Sequence, residues 1–370
     1  MNITCDKKIM LDQLNVAVKA VSSHSTMEIL KCVVLSAGEN SFELLASNGE
    51  MSINTAPAAC EVTELGAVAL EFRMFYDIIR RLPDGAPIKI SVQKNNITLI
   101  KSGRSEFKIL GSNPEEYPAQ PDVKQLGQYM VNAGDLKKGI GQTIFSVSMD
   151  MTKPALMGVL LEVADDCLRL VTVDGFRISY TQIPVTRGEN TGDEKAIVPA
   201  NTMSEISKLI GSDESICVSV GERHIVFKTE IFTMTSNLIA GEFLNYVPIF
   251  SEDYTTQITL PRVDFIDSLE RVSLIASRDI KKNPIKLEIS DELLIITSNT
   301  EIGTAYDELR IDCDGENLII AFNPKYILDA ARAVEEDIVN IKMTTALSPC
   351  TIRGLNNQDA KFLILPLRVK

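Results

Sequence analysis

Three stretches of this chain are built alike. "FELLASNGEMSI" places Asn48-Gly49 after the run 42–47, "CLRLVTVDGFRIS" places Asp174-Gly175 after 167–173, and "LLIITSNTEIGT" places Asn299-Thr300 after 293–298. An Asn-Gly or Asp-Gly pair between β-prone runs signals a hairpin, because glycine accepts positive φ and Asn or Asp tolerates it. The second pair follows the first by 126 residues and the third follows the second by 125. Other landmarks keep the same step. "ITCDKKIMLDQLNVAVKAVSS" reads as a short strand and a helix capped near Asp6, with Met10, Leu14, Ala17, Val18 and Val21 at helical spacing. Leu136, Ile140, Ile144 and Val147 take those slots in a second copy, and Phe265, Leu269 and Val272 in a third.

Each unit then holds a second helix, "LEFRMFYDIIRRL", "VPANTMSEISKLI" or "FNPKYILDAARAV", and a closing hairpin, "ITLIKSGRSEFKIL", "HIVFKTEIFTMTS" or "TIRGLNNQDAKFLILPL". Landmarks that keep their order at one period mean tandem copies of one domain. A third of the 370-residue chain, about 123 residues, is an ordinary domain size. Two helices among many short strands predict an α+β fold, with helices packed on antiparallel sheets. The expected domains are 1–121, 128–248 and 256–370, joined by turn-rich, acidic linkers at 113–128 and 241–256.

Charge is divided unevenly. The chain carries −13 overall, which argues against a tight grip on phosphate. The six helical segments 6–21, 71–81, 134–148, 199–211, 261–278 and 323–334 nevertheless hold fourteen basic against ten acidic residues, a sum of +4. Strands, turns and linkers therefore carry −17. If the helices share one side, that side is mildly positive and the other strongly acidic; a surface that touches DNA loosely would look like this, and so would solvated helix faces with no partner. The seven cysteines form no Cys-x-x-Cys motif and are odd in number, so buried, reduced thiols are expected. The start "MNITCDKKIML" lacks the pattern of a signal peptide, and no apolar run approaches the ~20 residues of a membrane span. A cytoplasmic protein is expected.

Catalytic patterns are missing. The two histidines, His24 and His224, sit in no ligand or catalytic cluster, and no P-loop, Gly-x-Ser-x-Gly or His-Glu-x-x-His pattern occurs. "GIGQTI" at 139–144 begins like a dinucleotide fingerprint but has Ile144 at its third glycine and falls within a helix. No enzyme and no cofactor is expected. A DNA-associated binding module, a peptide-binding adaptor and an enzyme with an unrecognised site remain as readings of the residues alone.

In this order and spacing, "EILKCVVL", "FYDIIRRLPDG", "IKSGRSEFKI", "VTVDGFRIS", "AFNPKYILDA" and "ILPLRVK" resemble the bacterial DNA polymerase III beta subunit family, the replicative sliding clamps, over essentially the whole chain. The resemblance implies a head-to-tail homodimer, a ring of six domains with helices lining the hole. Such a ring encircles double-stranded DNA without regard to sequence. It tethers the replicative DNA polymerase, is opened by a clamp loader, and serves repair polymerases and other proteins that carry a clamp-binding motif. It needs no membrane.

The resemblance also implies sites. Partners insert a short peptide into a pocket formed by Leu156, Val173, Gly175, Phe176, Arg177 and Ile178 of the second domain, and Leu244, Pro248 and Ile249 of the linker. The third domain adds Asn323, Tyr326, Leu347, Pro349, Ile364, Leu365, Pro366, Leu367 and Arg368. An apolar cleft with a few polar groups to orient the peptide is what such recognition needs. Val173 stands where many members have Thr, Leu244 where Pro is frequent and Pro248 where Arg is frequent. The implied DNA contacts are His24, Arg73, Asp150, Lys153 and Pro154. The implied dimer interface sets Phe107 and Ile109 against Ile275.

Overall fold

A computed structural model describes residues 1–22, 25–121, 123, 127–188, 192–250, 252–276 and 284–368. Six α-helices appear among them: α1 (Lys7–Ala17), α2 (Phe72–Arg81), α3 (Ala133–Thr143), α4 (Ala200–Leu209), α5 (Arg262–Ala276) and α6 (Pro324–Ala333). They fall two to a repeat, at the expected places. Asp6 caps α1 through its carboxylate, which accepts from the Lys8 and Ile9 amides, so two of the orphan donors of the first turn are satisfied. Met10, Leu14 and Ala17 are buried. Beyond Ala17 the helix tightens to a 3-10 turn, Val18–Ala20, and Val18 is partly exposed rather than part of the core face. The expected end of the fifth helix, at 278, lies outside the described residues.

The strands form four antiparallel sheets. Grouped by packing, the chain makes two compact units: 1–133 with 186–192 and 205–238, and 134–185 with 193–204 and 239–370. The first unit holds a five-stranded sheet, ended by the Ser105–Leu110 strand, and a ten-stranded sheet. In the larger sheet Met51–Thr55 pairs with Phe232–Asn237, so strands of the first and second repeats share one sheet. The second unit holds a nine-stranded and a four-stranded sheet. There Arg177–Pro184 pairs with Ala360–Ile364, which joins strands of the second and third repeats. In the third repeat Phe265, Leu269 and Val272 of α5 pack with Ile327 of α6 and the sheet residues Leu287 and Ile296, so the helices cover one sheet face.

All three repeated hairpins form. Two turn where expected, but the third differs. The Leu293–Thr300 strand runs straight through Asn299 and Thr300 and turns at Glu301-Ile302 before Gly303–Arg310. Without glycine at 300 the pair has no preference for a positive-φ turn, and the ladder continues for two more residues. Gly303 has φ +158, near extended, and serves as a strand residue. The cysteines are all free, but only Cys5, Cys32 and Cys350 are buried; Cys60, Cys167, Cys217 and Cys313 are half-buried. No described helix is long and apolar enough to cross a membrane.

Candidate functional site

The turn of "VTVDGFRIS" is locked by its own aspartate. Asp174 Oδ1 accepts the Phe176 and Arg177 amides at 2.9 and 3.0 Å, and Gly175 supplies the positive φ of +90°. The two residues after it then point opposite ways, as strand residues do. Phe176 is exposed. Arg177 is buried, at 6% relative exposure.

The interior position of Arg177 is fully partnered. Nε donates to Asp174 Oδ2 at 2.9 Å, Nη1 to Asp329 Oδ2 of α6 at 2.7 Å, and Nη2 to the Phe145 carbonyl. The guanidinium lies 4.4 Å over the Tyr326 ring and 5.2 Å from that of Phe145. Tyr326 in turn stacks on Phe176, with centroids 6.2 Å apart. A planar cation held between carboxylates and rings is well matched to Arg. Arg177, one of the residues the resemblance sets at the pocket, is thus buried behind Phe176 and Tyr326 and positions both.

The end of the chain completes the same corner. Ile178 pairs with Leu363 and Arg177 with Ile364. The Leu365 amide then donates to the Phe176 carbonyl at 2.9 Å, and the Leu367 amide to that of Ala321 at 2.8 Å. Val173, Ile178, Tyr246 and Leu363 form a buried cluster, and Leu156 and Ile249 pack on it half-buried. Ile364 is fully buried, Pro366 and Leu367 are half-buried, and Leu365 and Arg368 are exposed. From the linker, Leu244 and Pro248 are exposed, the latter within the 3-10 turn Val247–Ile249. Asn323 is buried and spends its Oδ1 on the Lys325 amide as the cap of α6. Leu347 is exposed in a turn, and half-buried Pro349 precedes Cys350, which pairs with Ile364. The structure thus brings together an apolar floor, Val173, Ile178 and Leu363, beneath the rim residues Leu156, Phe176, Ile249 and Leu365. The sequence analysis singled out neither Tyr246 nor Asp329. The Asp-Gly turn was the one local signal for Asp174.

The other expected sites are placed as follows. Arg73 is exposed in the first turn of α2, whose amides at Arg73 and Met74 are capped by Glu71. Asp150, Lys153 and Pro154 are exposed. Asp150 Oδ1 accepts both the Thr152 hydroxyl and its amide, which hold the carboxyl below the usual range. His24 lies outside the described residues. Phe107 is exposed and Ile109 half-buried on Ser105–Leu110, an edge strand whose ladder runs only to Ile97–Ser102 among the described residues. Ile275 is half-buried on α5, with Cδ1 3.8 Å from where a Cβ on Gly303 would stand. Gly303 opens Gly303–Arg310, the edge strand of the four-stranded sheet. Among the described residues, no group of three His, Cys, Asp or Glu could hold a metal ion.

Three tandem α+β repeats with an apolar corner where the second meets the third define a class of protein that acts by binding. Family models for the DNA polymerase III beta subunit match in order: the N-terminal domain over 1–121, the central domain over 130–245 and the C-terminal domain over 248–368. The chain is 32% identical to the beta sliding clamp of Staphylococcus epidermidis over 378 residues, covering 100% of this chain and 99% of that one. The crystal structure of a putative DNA polymerase III beta subunit from Eubacterium rectale superimposes with a TM-score of 0.94 at 32% identity. The DNA polymerase sliding clamp from Bacillus subtilis does so with 0.96 at 28%. Both comparisons cover 100% of each chain. The chain belongs to the DNA polymerase III beta subunit family, the beta sliding clamps.

Proposed function

We propose that two copies of this chain close head to tail into a ring of six clamp domains, 1–121, 128–248 and 256–370 from each. The ring encircles duplex DNA in the cytoplasm and tethers the replicative polymerase. The observation that carries this reading is the ordered match of all three family models along the whole chain. The charge supports it. A protein at −13 gains little from gripping phosphate, whereas a topological link requires no tight contact. His24, Arg73, Asp150, Lys153 and Pro154 are assigned to the DNA-facing side. The protein acts by binding and carries out no reaction of its own.

The two edge strands support ring closure. Ser105–Leu110 and Gly303–Arg310 each leave one row of backbone groups without a ladder among the described residues. Phe107 and Leu110 stand exposed on the first, and Leu274, Ile302 and Tyr306 on or beside the second. Unpaired edges flanked by apolar groups pair with another chain. Phe107, Ile109 and Ile275 are therefore assigned to the dimer interface. Ile275→Asp is expected to yield monomers in native mass spectrometry; an unchanged dimer removes the assignment.

The corner of Leu156, Val173, Ile178, Ile249 and Leu365 is assigned as the pocket for partner peptides. Gly175, Phe176, Arg177, Leu244, Pro248, Asn323, Tyr326, Leu347, Pro349, Ile364, Pro366, Leu367 and Arg368 frame or support it. The polymerase, the clamp loader and repair polymerases would share it, each through leucine and aromatic anchors. The deciding test of the whole reading is retention on DNA. The protein, loaded on nicked circular DNA, is expected to stay through gel filtration and to be lost when the circle is cut. Equal retention on both forms would sink the topological mechanism.

A further inference from the structure

The wall of the corner is a linker segment, and it is fastened at both ends. At one end the Tyr246 hydroxyl donates to Glu162 Oε2 at 2.6 Å, on a strand of the second repeat. At the other, Glu252 reaches three cations on three neighbouring strands of the third repeat. Its Oε2 lies 3.0 Å from Lys342 Nζ and 3.7 Å from Arg353 Nη1, and its Oε1 lies 3.1 Å from Lys361 Nζ. These cations are largely covered, at 13%, 13% and 22% exposure, while Glu252 itself is 60% exposed, so solvent screens the cluster in part. Lys342 also sits 4.9 Å over the Tyr254 ring. The Lys342 hydrogen bond, together with Lys361, holds the Glu252 carboxyl down to about 2.

Between the fasteners lie Val247, Pro248, Ile249 and Phe250. Ile249 packs on the apolar floor. Beside the same segment is an open groove of about 470 Å³, lined by Arg169, Tyr180, Tyr246, Phe250, Glu252 and Lys361 among others. The wall packs inward through Ile249 and Phe250, whose ring meets Tyr180 edge-on with centroids 6.0 Å apart, and borders an open groove, so its position depends on the fastened ends as well as on that packing.

We propose that Glu252 is a positioning residue for peptide binding: its clasp on Lys342, Arg353 and Lys361 holds the 246–250 wall against the pocket floor. This rests on the pocket reading above. Without the clasp the wall loses one of its two polar anchors and samples displaced positions, and a peptide must then bear the cost of ordering it.

The test uses the full-length protein and a capped, uncharged peptide with leucine and phenylalanine anchors, with affinity measured at low and high salt. Glu252→Gln is expected to weaken binding about threefold to tenfold at low salt, the scale of a partly exposed charge network. The wild type should lose affinity as salt rises and meet the variant, whose affinity stays flat. A neutral ligand offers no other charge for the salt to act on. Lys361→Met removes one of the three cations and should weaken binding less, which guards against a folding defect in either variant. Equal affinity and equal salt dependence in wild type and Glu252→Gln overturns the clasp and leaves the pocket standing. Ile178→Asp serves as the control: if it binds as the wild type does, or the wild type binds nothing, the pocket reading falls and the clasp with it.

Discussion

Arg177 stands in the sequence only as one of several residues that the resemblance sets at the pocket. In the fold it is an interior strut, because Asp329 lies 152 residues away and no local pattern announces it. Removing one partner of a buried ion pair costs about 3–5 kcal/mol, since the remaining charge stays uncompensated. Arg177→Met should fall near the low end, about 3 kcal/mol, because Asp174 and Asp329 keep 14% and 18% exposure to water. Denaturant titration checks it, as a lower midpoint at unchanged slope. Glu252 makes a second prediction. Its folded carboxyl titrates near 2 against an ordinary 4.5, so its stabilisation is complete above the ordinary value and is lost as pH falls towards 2. The difference in denaturation midpoint between wild type and Glu252→Gln should be constant above about pH 5 and shrink below pH 4. Glu252 was invisible in the sequence for the same reason as Asp329: Lys342 and Lys361 come 90 and 109 residues later.

At the level of elements, the sequence spoke most clearly where local chemistry decides. All six helices begin within a residue of where periodicity and caps predict, though α1 and α3 end at Ala17 and Thr143, short of the expected 21 and 148, because each tightens to a 3-10 turn, and the Asn-Gly and Asp-Gly turns form as written. The third hairpin departs because Thr300 offers no such preference, so the ladder set the turn position instead. The floor strand was harder to read. "FLILPL" is a continuous apolar run, and alternation alone does not say that Ile364 is buried while Leu365 is exposed. The edge strand Ser105–Leu110 carries its own prediction. If its free side pairs in the dimer, the outward-facing amides of 105–110 exchange slowly in the wild type and fast in Ile275→Asp. Fast exchange in both would place the interface elsewhere.

Across the molecule, the repeats make two comparable junctions, yet among the described residues only the second presents an apolar corner. Ser47, Glu50 and Ser52 stand 126 residues before Val173, Phe176 and Ile178 and replace them with polar groups. The linker also covers that place itself. Tyr117 is buried with its hydroxyl accepting the Ser47 amide at 2.6 Å, and the Ser52 hydroxyl donates to Gln120 at 2.6 Å. Calorimetry should therefore count one peptide per chain; two would mean that the first junction opens. The period of the repeat was readable from the sequence, but this loss of equivalence was not, because it depends on which side chains a linker happens to reach. The shared sheets have a practical consequence. Since strands of the second repeat divide between two sheets, each completed by a different neighbour, a cut near 121 or 248 would strip a partner from a central ladder. The bare edges would offer a template for aggregation. A chain built from three copies is, for anyone hoping to express one of them alone, a single indivisible piece.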